Sequence, residues 1–400
     1  MTKSSGIDRI GNLDFVRGIA TLGILVMNAV SFGLPSAAYW NLAASGSETG
    51  LDWVVGIFSK IFVDQKMMAL FSLLFGASIV LFIDAAKKRG PARPILGLYS
   101  SPIWLSLWRN LWLFVIGLLH MLLWEGDILQ VYAICAPIIL FVRNWHPKLL
   151  LGLGTFLITT QALLALLLQP LFLSDGSLDI TTNWARAIGD DIGLGKYWFV
   201  ESTKLGDTVG LWLLVNFFGR ALGMMFIGVA LYRMTILQGT RSVGFYRRMA
   251  VIGIVVGLPL AITSVVWQLA SDFSPDIALI STIPTNLATI PLTLGYLGVL
   301  TIWHLRVDSW VHARIRAIGR MALTNYLTQT IIGITVLRII LDQGSLSRSG
   351  IALFIVVVWT LQITWSEPWL KRYPYGPFEW IWRKLTYREF RMARSKHSQN

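Results

Sequence analysis

The chain has 400 residues, 55% of them hydrophobic and only 14% charged, with a mean hydropathy of +0.62 and a formal net charge of +13. That balance excludes a soluble globular domain and predicts an all-α, polytopic membrane helical bundle. Its single cysteine, Cys135, excludes an intrachain disulfide and a thiolate metal site. The basic residues sit in short loops and the tail, which points to topology and lipid contact and not to nucleic acid.

Residues 1–9 lack the apolar core and small-residue cleavage site of a secretory signal, so the first helix is expected to be retained. Residues 13–33 are long and apolar enough to cross a bilayer. At about 100° per residue, Asp14, Arg17, Thr21, Asn28 and Ser31 fall in one sector of that helix. Polar groups in hydrocarbon turn to protein or water, so the chain should close around this stripe, with Ile24 and Val30 facing lipid. The plainer reading makes Asn12 an N-cap, Asp14 a first-turn acid and Arg17 a snorkelling side chain. Residues 51–65 are amphipathic and read as a helix at the outer interface.

Nine more spans follow, at 66–84, 104–124, 127–143, 149–172, 210–232, 249–270, 283–305, 317–341 and 351–370. Each of the ten is about 17–25 residues long, the length a bilayer core requires. Alternate loops carry Lys87, Lys88, Arg89 and Arg93, then Arg143 and Lys148, then Arg233, Arg241, Arg247 and Arg248. The opposite loops 34–51, 125–127 and 271–282 have no Lys or Arg. This asymmetry places both termini in the cytoplasm. Residues 1–370 form one transmembrane domain. Residues 371–400 form a basic aromatic tail expected to lie on an anionic inner leaflet. The loop 173–209, rich in Asp, reads as a lid or a solvated connector.

Polar groups at membrane depth are the candidate site residues. Asp64 and Lys66 stand at the outer entrance of the second span, to pair with each other or with Glu125, or as ordinary interface charges. Gly76 and Ser78 permit close helix approach. Arg109 and His120 are eleven residues apart, about 16 Å and nearly three whole turns, and Arg17 and Asn28 share that spacing. Trp124, Glu125 and Asp127 follow His120. A histidine beside a carboxylate reads either as a general base or as a buried side chain bonded to a neighbouring helix. Asn216 and Arg220 lie one turn apart in mid-membrane, where Arg220 should meet an anion or a carboxylate. Asn286, among Thr282, Thr285, Thr289 and Thr293 near Pro284 and Pro291, lines a cavity or bonds between helices. Asn325 and Gln329 pose the same alternative. No P-loop, zincin pair or nucleotide fingerprint is present, so neither ATP-driven transport, a metal site nor a bound cofactor is expected.

Five segments carry a resemblance: Leu13-Asp-Phe-Val-Arg-Gly-Ile-Ala, Phe71-Ser-Leu-Leu-Phe-Gly, Glu125-Gly-Asp-Ile-Leu, Gly319-Arg-Met-Ala-Leu-Thr-Asn-Tyr-Leu and Tyr375-Gly-Pro-Phe-Glu-Trp-Ile-Trp-Arg. In this order they resemble the bacterial YeiB-like family. In its N-terminal helices the chain is also distantly similar to integral-membrane acyltransferases. These include the bacterial O-acyltransferase family and the lysosomal heparan-glucosaminide acetyltransferase. That likeness implies acyl transfer from a cytosolic thioester to a hydroxyl or amine across the membrane. The O-acyltransferase pattern of Arg, ten residues and a catalytic His gives Arg17 and Asn28 here, and asparagine is no base at neutral pH. The role would then pass to His120, with Glu125 or Asp127 orienting it and Asn28 donating to the oxyanion. An acyl-coenzyme A donor would bind near Arg17 and Arg109. The alternative is a transporter or carrier of a small solute, anionic or not, which kinked helices, a central Arg220 and the polar stripes suit equally. In either reading Asp14, Arg17, Asp64, Lys66, Arg109, Asn216, Arg220, Asn286 and Asn325 are the substrate-binding candidates. Either reading implies a multi-pass protein of the bacterial plasma membrane, with lipid and a small molecule as partners. Oligomeric state stays open.

Overall fold

The computed structural model describes residues 11–35, 37–88, 92–95, 98–169 and 204–387. In chain order come α1 (Gly11–Gly33), α2 (Ala37–Trp40), α3 (Gly50–Phe58) running on into a π-turn (Ser59–Val63), and α4 (Lys66–Lys88). A small hairpin, β1 (Ala92–Ile95) and β2 (Leu98–Ser100), leads to α5 (Pro102–Met121), α6 (Leu129–Val142) and α7 (Pro147–Leu168). Then follow α8 (Lys204–Arg233), α9 (Val243–Ala270), α10 (Ile283–Arg306) and α11 (Trp310–Arg320). The chain ends in α12 (Ala322–Ile334) with a π-turn (Thr335–Ile340), α13 (Arg348–Arg372) and α14 (Pro377–Tyr387).

Among the described residues nine helical stretches are long and apolar enough to cross a membrane, and Leu129–Val142 is a shorter apolar helix. These ten match the predicted spans. Leu119, Leu167, Ile252 and Leu353 are 62–72% exposed, an outer surface that only lipid would cover. Most of the predicted loop 173–209, up to residue 203, lies outside the described residues, as does the tail from Arg388 onward.

Helix α1 is the axis of the bundle. Helices α4, α10, α11, α12 and α13 pack around it. Phe15, Val16, Ala20, Leu25 and Ala29 have no exposed surface. Thr21 and Asn28 are buried as the stripe requires, but Ile24 is buried too and Val30 half-buried. The expectation that those two face lipid fails because α1 has neighbours on every side. Asn12 is no N-cap. It lies inside the helix and donates to Leu237 O and Thr301 Oγ1, tying α1 to α10.

One further difference comes from tertiary contact. The predicted span 317–341 is broken at Met321 into α11 and α12. Helix α11 lies so close to α1 that a Cβ on Gly319 would stand 1.8 Å from Asp14 O. Asn325 Nδ2 donates to Ile318 O at 3.3 Å beside the break, and its Oδ1 accepts from Trp365 Nε1 at 3.0 Å. Asn325 therefore joins α12 to α11 and α13. Residues 50–63 are helical, with Leu51, Val54 and Phe58 outward. Asp52 completes the capping box with Thr49 and also accepts from Ser349 N at 2.8 Å, so one carboxylate serves the N-termini of α3 and α13.

Candidate functional site

A cavity of about 300 Å³ opens at the Lys/Arg-rich end of the bundle, between α1, α4, α5, α6, α12 and α14. Arg17, Arg109, Arg320 and Arg383 line it together with Glu379, and Asp14 stands beside Arg17. Arg17 is fixed by Asp14 Oδ1 and Ser78 Oγ, both at 2.9 Å, instead of snorkelling. The guanidinium of Arg109 lies 4.0 Å from the Trp382 ring and 4.7 Å from the Phe82 ring, a flat sandwich that suits a weakly hydrated cation. Arg383 sits over Tyr375 and Tyr387.

Helix α14 is a wall of this cavity and not a strip lying free on the leaflet. Trp382 Nε1 donates to Arg109 O at 2.8 Å, and Trp108 Nε1 to Leu385 O at 3.2 Å. Glu379 accepts from Thr324 N at 3.0 Å and from Thr324 Oγ1 at 2.5 Å. Burial pushes its carboxyl above the ordinary carboxylate range, against those two donors. Beyond the arginines the walls turn apolar, through Phe71, Phe75, Leu113, Ile128 and Leu323, and end at Tyr326.

Behind Tyr326 is His120, only 4% exposed. Its Nδ1 lies 2.8 Å from Asp127 Oδ1, which also accepts from Tyr326 Oη at 3.1 Å, while Oδ2 accepts from Leu129 N at 3.0 Å. The partner is thus Asp127 and not Glu125, which stays partly exposed. Helix α5 ends just after His120, and the turn to α6 folds back over it. Gly117 makes this fold possible, since a Cβ there would stand 3.0 Å from Asp127 Oδ2 and 2.9 Å from Gln130 Cγ. The other ring nitrogen, His120 Nε2, is buried without a hydrogen-bond partner among the described residues. Both purely structural bonding and base chemistry would use Nδ1. Base chemistry would use Nε2 as well.

Asn28 is buried on α1 but makes no hydrogen bond to His120. Trp124 links the two helices there, donating to Ser31 Oγ at 3.1 Å and lying edge-on to His120 and Phe32. A second polar cluster sits at the far end of α4. Arg220 donates to Gln65 Oε1 and Asn286 Oδ1. Asp64 and Lys66 do not pair. Lys60 takes Asp64 at 3.0 Å, and Lys66 Nζ donates to Lys60 O at 2.7 Å. Asn216 is half-buried and joins neither cluster by a hydrogen bond. Among the described residues no group of three or more His, Cys, Asp or Glu could hold a metal.

Sequence reasoning missed Tyr326, Ser78, Arg320, Arg383 and Glu379 as site residues. A signal was present. All five segments that carry the resemblance converge on the cavity or its end: Arg17, Phe71 with Phe75, Asp127 with Leu129, Arg320 with Tyr326, and Glu379 with Arg383.

Residues 231–389 match a family described as a protein of unknown function, DUF418. Over 418 aligned positions the chain is 30% identical to an uncharacterized protein, YeiB, of Escherichia coli (strain K12), covering 98% of this chain and 100% of that one. It is 26% identical to the uncharacterized protein YxaH of Bacillus subtilis (strain 168), over 95% and 94% of the two chains. It is 27% identical to an uncharacterized 39.9 kDa protein encoded in the amylase 3′ region of Bacillus acidopullulyticus, over the same shares. No solved structure matches it. With its five motif segments gathered at one site and its whole length aligned to YeiB, the chain belongs to the YeiB-like family.

Proposed function

We propose that the protein is an acyltransferase of the bacterial plasma membrane. In this reading it takes an acyl-coenzyme A thioester as substrate from the basic side and passes the acyl group to a hydroxyl or amine. One observation carries the reading: the bare Nε2 of His120, on a ring held by Asp127, behind a cavity with four arginines at its mouth. With Nδ1–H donated to the carboxylate, Nε2 keeps its lone pair and can take a proton.

The acceptor would lose its proton to Nε2 as its oxygen or nitrogen attacks the thioester carbonyl. The tetrahedral intermediate then expels the coenzyme A thiolate, which recovers the proton from Nε2. Arg17, Arg109, Arg320 and Arg383 would hold the diphosphate by charge-assisted hydrogen bonds. Only the sulfur-bearing arm would enter the apolar part, since Arg109 and His120 stand about 16 Å apart along α5. Tyr326 closes the path to His120 and gives way when the donor enters. Surrounding lipid is the expected partner of the exposed apolar belt.

The second reading, a carrier of a small anion, is favoured by the buried Arg220 cluster alone. The unfolding temperature of the detergent-purified protein separates the two. Acetyl-coenzyme A should raise it in the wild type and in His120→Gln but not in Arg109→Gln. No rise in the wild type would leave the carrier.

A further inference from the structure

The cavity and His120 make no use of the polar cluster where α4, α8 and α10 meet. We infer that this cluster is a second site and binds one small anion, with halide, carboxylate or phosphate chemistry. Lys60, Lys66, Arg220 and Asp64 meet there, three cations to one carboxylate among the described residues. Lys66 is fully buried and Arg220 is 5% exposed, and Arg220 and Asp64 both act electrostatically on Lys66. Asp64 Oδ2 is taken by Lys60.

Arg220 and Lys66 therefore spend their hydrogen bonds on neutral oxygens: Gln65 Oε1, Asn286 Oδ1 and Lys60 O. Arg220 Nε is buried without a partner, and the Lys66 ammonium has used one of its three donors. Buried cations that share one carboxylate, Asp64, and place their hydrogen bonds on neutral oxygens are disfavoured in a membrane, and a bound anion reduces the imbalance.

The backbone supports the same conclusion. A π-turn at Ser59–Val63 leads into Gln65, whose φ of 65° is one a side chain rarely adopts, and this turn brings Gln65 to Arg220. Such irregular segments recur at functional sites, and at membrane depth they persist where protein or a cavity surrounds them. Beside the cluster lies a cavity of about 20 Å³ lined by Tyr39, Ser59, Lys60, Asp64 and Arg348, room for one water-sized species.

The inference does not depend on the role of His120, and its test keeps the two apart. The full-length protein in detergent is unfolded by heat in sodium chloride, formate or phosphate, against sodium gluconate at equal ionic strength. At least one of the three small anions should raise the unfolding temperature saturably over gluconate. The rise should persist in His120→Gln and in Arg109→Gln, which removes an arginine of the other cavity, and vanish in Arg220→Gln and in Lys66→Met. Should either of these two fail to fold, the other reads the same loss, and Asn286→Ala should weaken the response. Equal unfolding temperatures in all four salts, or a rise that survives in Arg220→Gln or Lys66→Met, would overturn the site.

Discussion

His120 has one ring nitrogen bonded to a carboxylate and one without a hydrogen-bond partner among the described residues. Asp127 is the centre of this arrangement, because it accepts from His120, Tyr326 and a backbone N–H at once. Replacing it with asparagine keeps the volume but loses the charge that fixes the ring tautomer. Asp127→Asn should lower turnover by on the order of 10³–10⁴, as in other histidine–carboxylate pairs, with donor binding unchanged. Tyr326→Phe removes one hydrogen bond between helices. It should cost about 1 kcal/mol of stability in detergent unfolding. His120 and Asp127 were legible in the sequence because seven residues and one tight turn separate them. Tyr326 was not, since it reaches Asp127 across 199 positions. The matching Arg17–Asn28 and Arg109–His120 spacings did bring both arginines to one cavity. Between α1 and the His120 end of α5 they left room for a side chain that spacing does not announce, Trp124, which donates to Ser31 Oγ.

At the scale of elements, the long helices were read from hydropathy, and the breaks were not. Met321 interrupts an apolar run because α11 has to seat Gly319 on the backbone of α1, a demand set by the partner and invisible in the run itself. Helix α14 was read as a leaflet strip for a related reason. An amphipathic aromatic face suits lipid and protein equally, and only the bonds to Arg109 and Leu385 decide. Glycine contacts make this scale testable. Gly319→Ala places a Cβ 1.8 Å from Asp14 O, so α11 has to shift with Arg320 and Met321. The variant should lose about 1–3 kcal/mol of stability, the usual cost of overpacking. Gly152 in α7 has nothing within 4 Å of its would-be Cβ, so Gly152→Ala should be neutral or slightly stabilising. Equal losses in the two variants would contradict the close α1–α11 contact.

The whole molecule is a bundle wrapped around one polar-striped helix, with a charged mouth on its basic side and an apolar path to a histidine. Fold class was legible because composition and hydropathy report directly on the bilayer. The candidate site was legible only as separate polar residues, since convergence of five distant segments is a property of the fold. Transfer across inverted membrane vesicles tests the proposal most directly. Inversion exposes the basic side, so acetyl-coenzyme A labelled in the acetyl group reaches the arginines without crossing the membrane. Vesicles carrying the wild-type protein should move label into a lipid or saccharide fraction. Those carrying His120→Gln should not, and right-side-out vesicles should not either. No label transferred by the wild type, or equal transfer by His120→Gln, would contradict the acyltransferase reading.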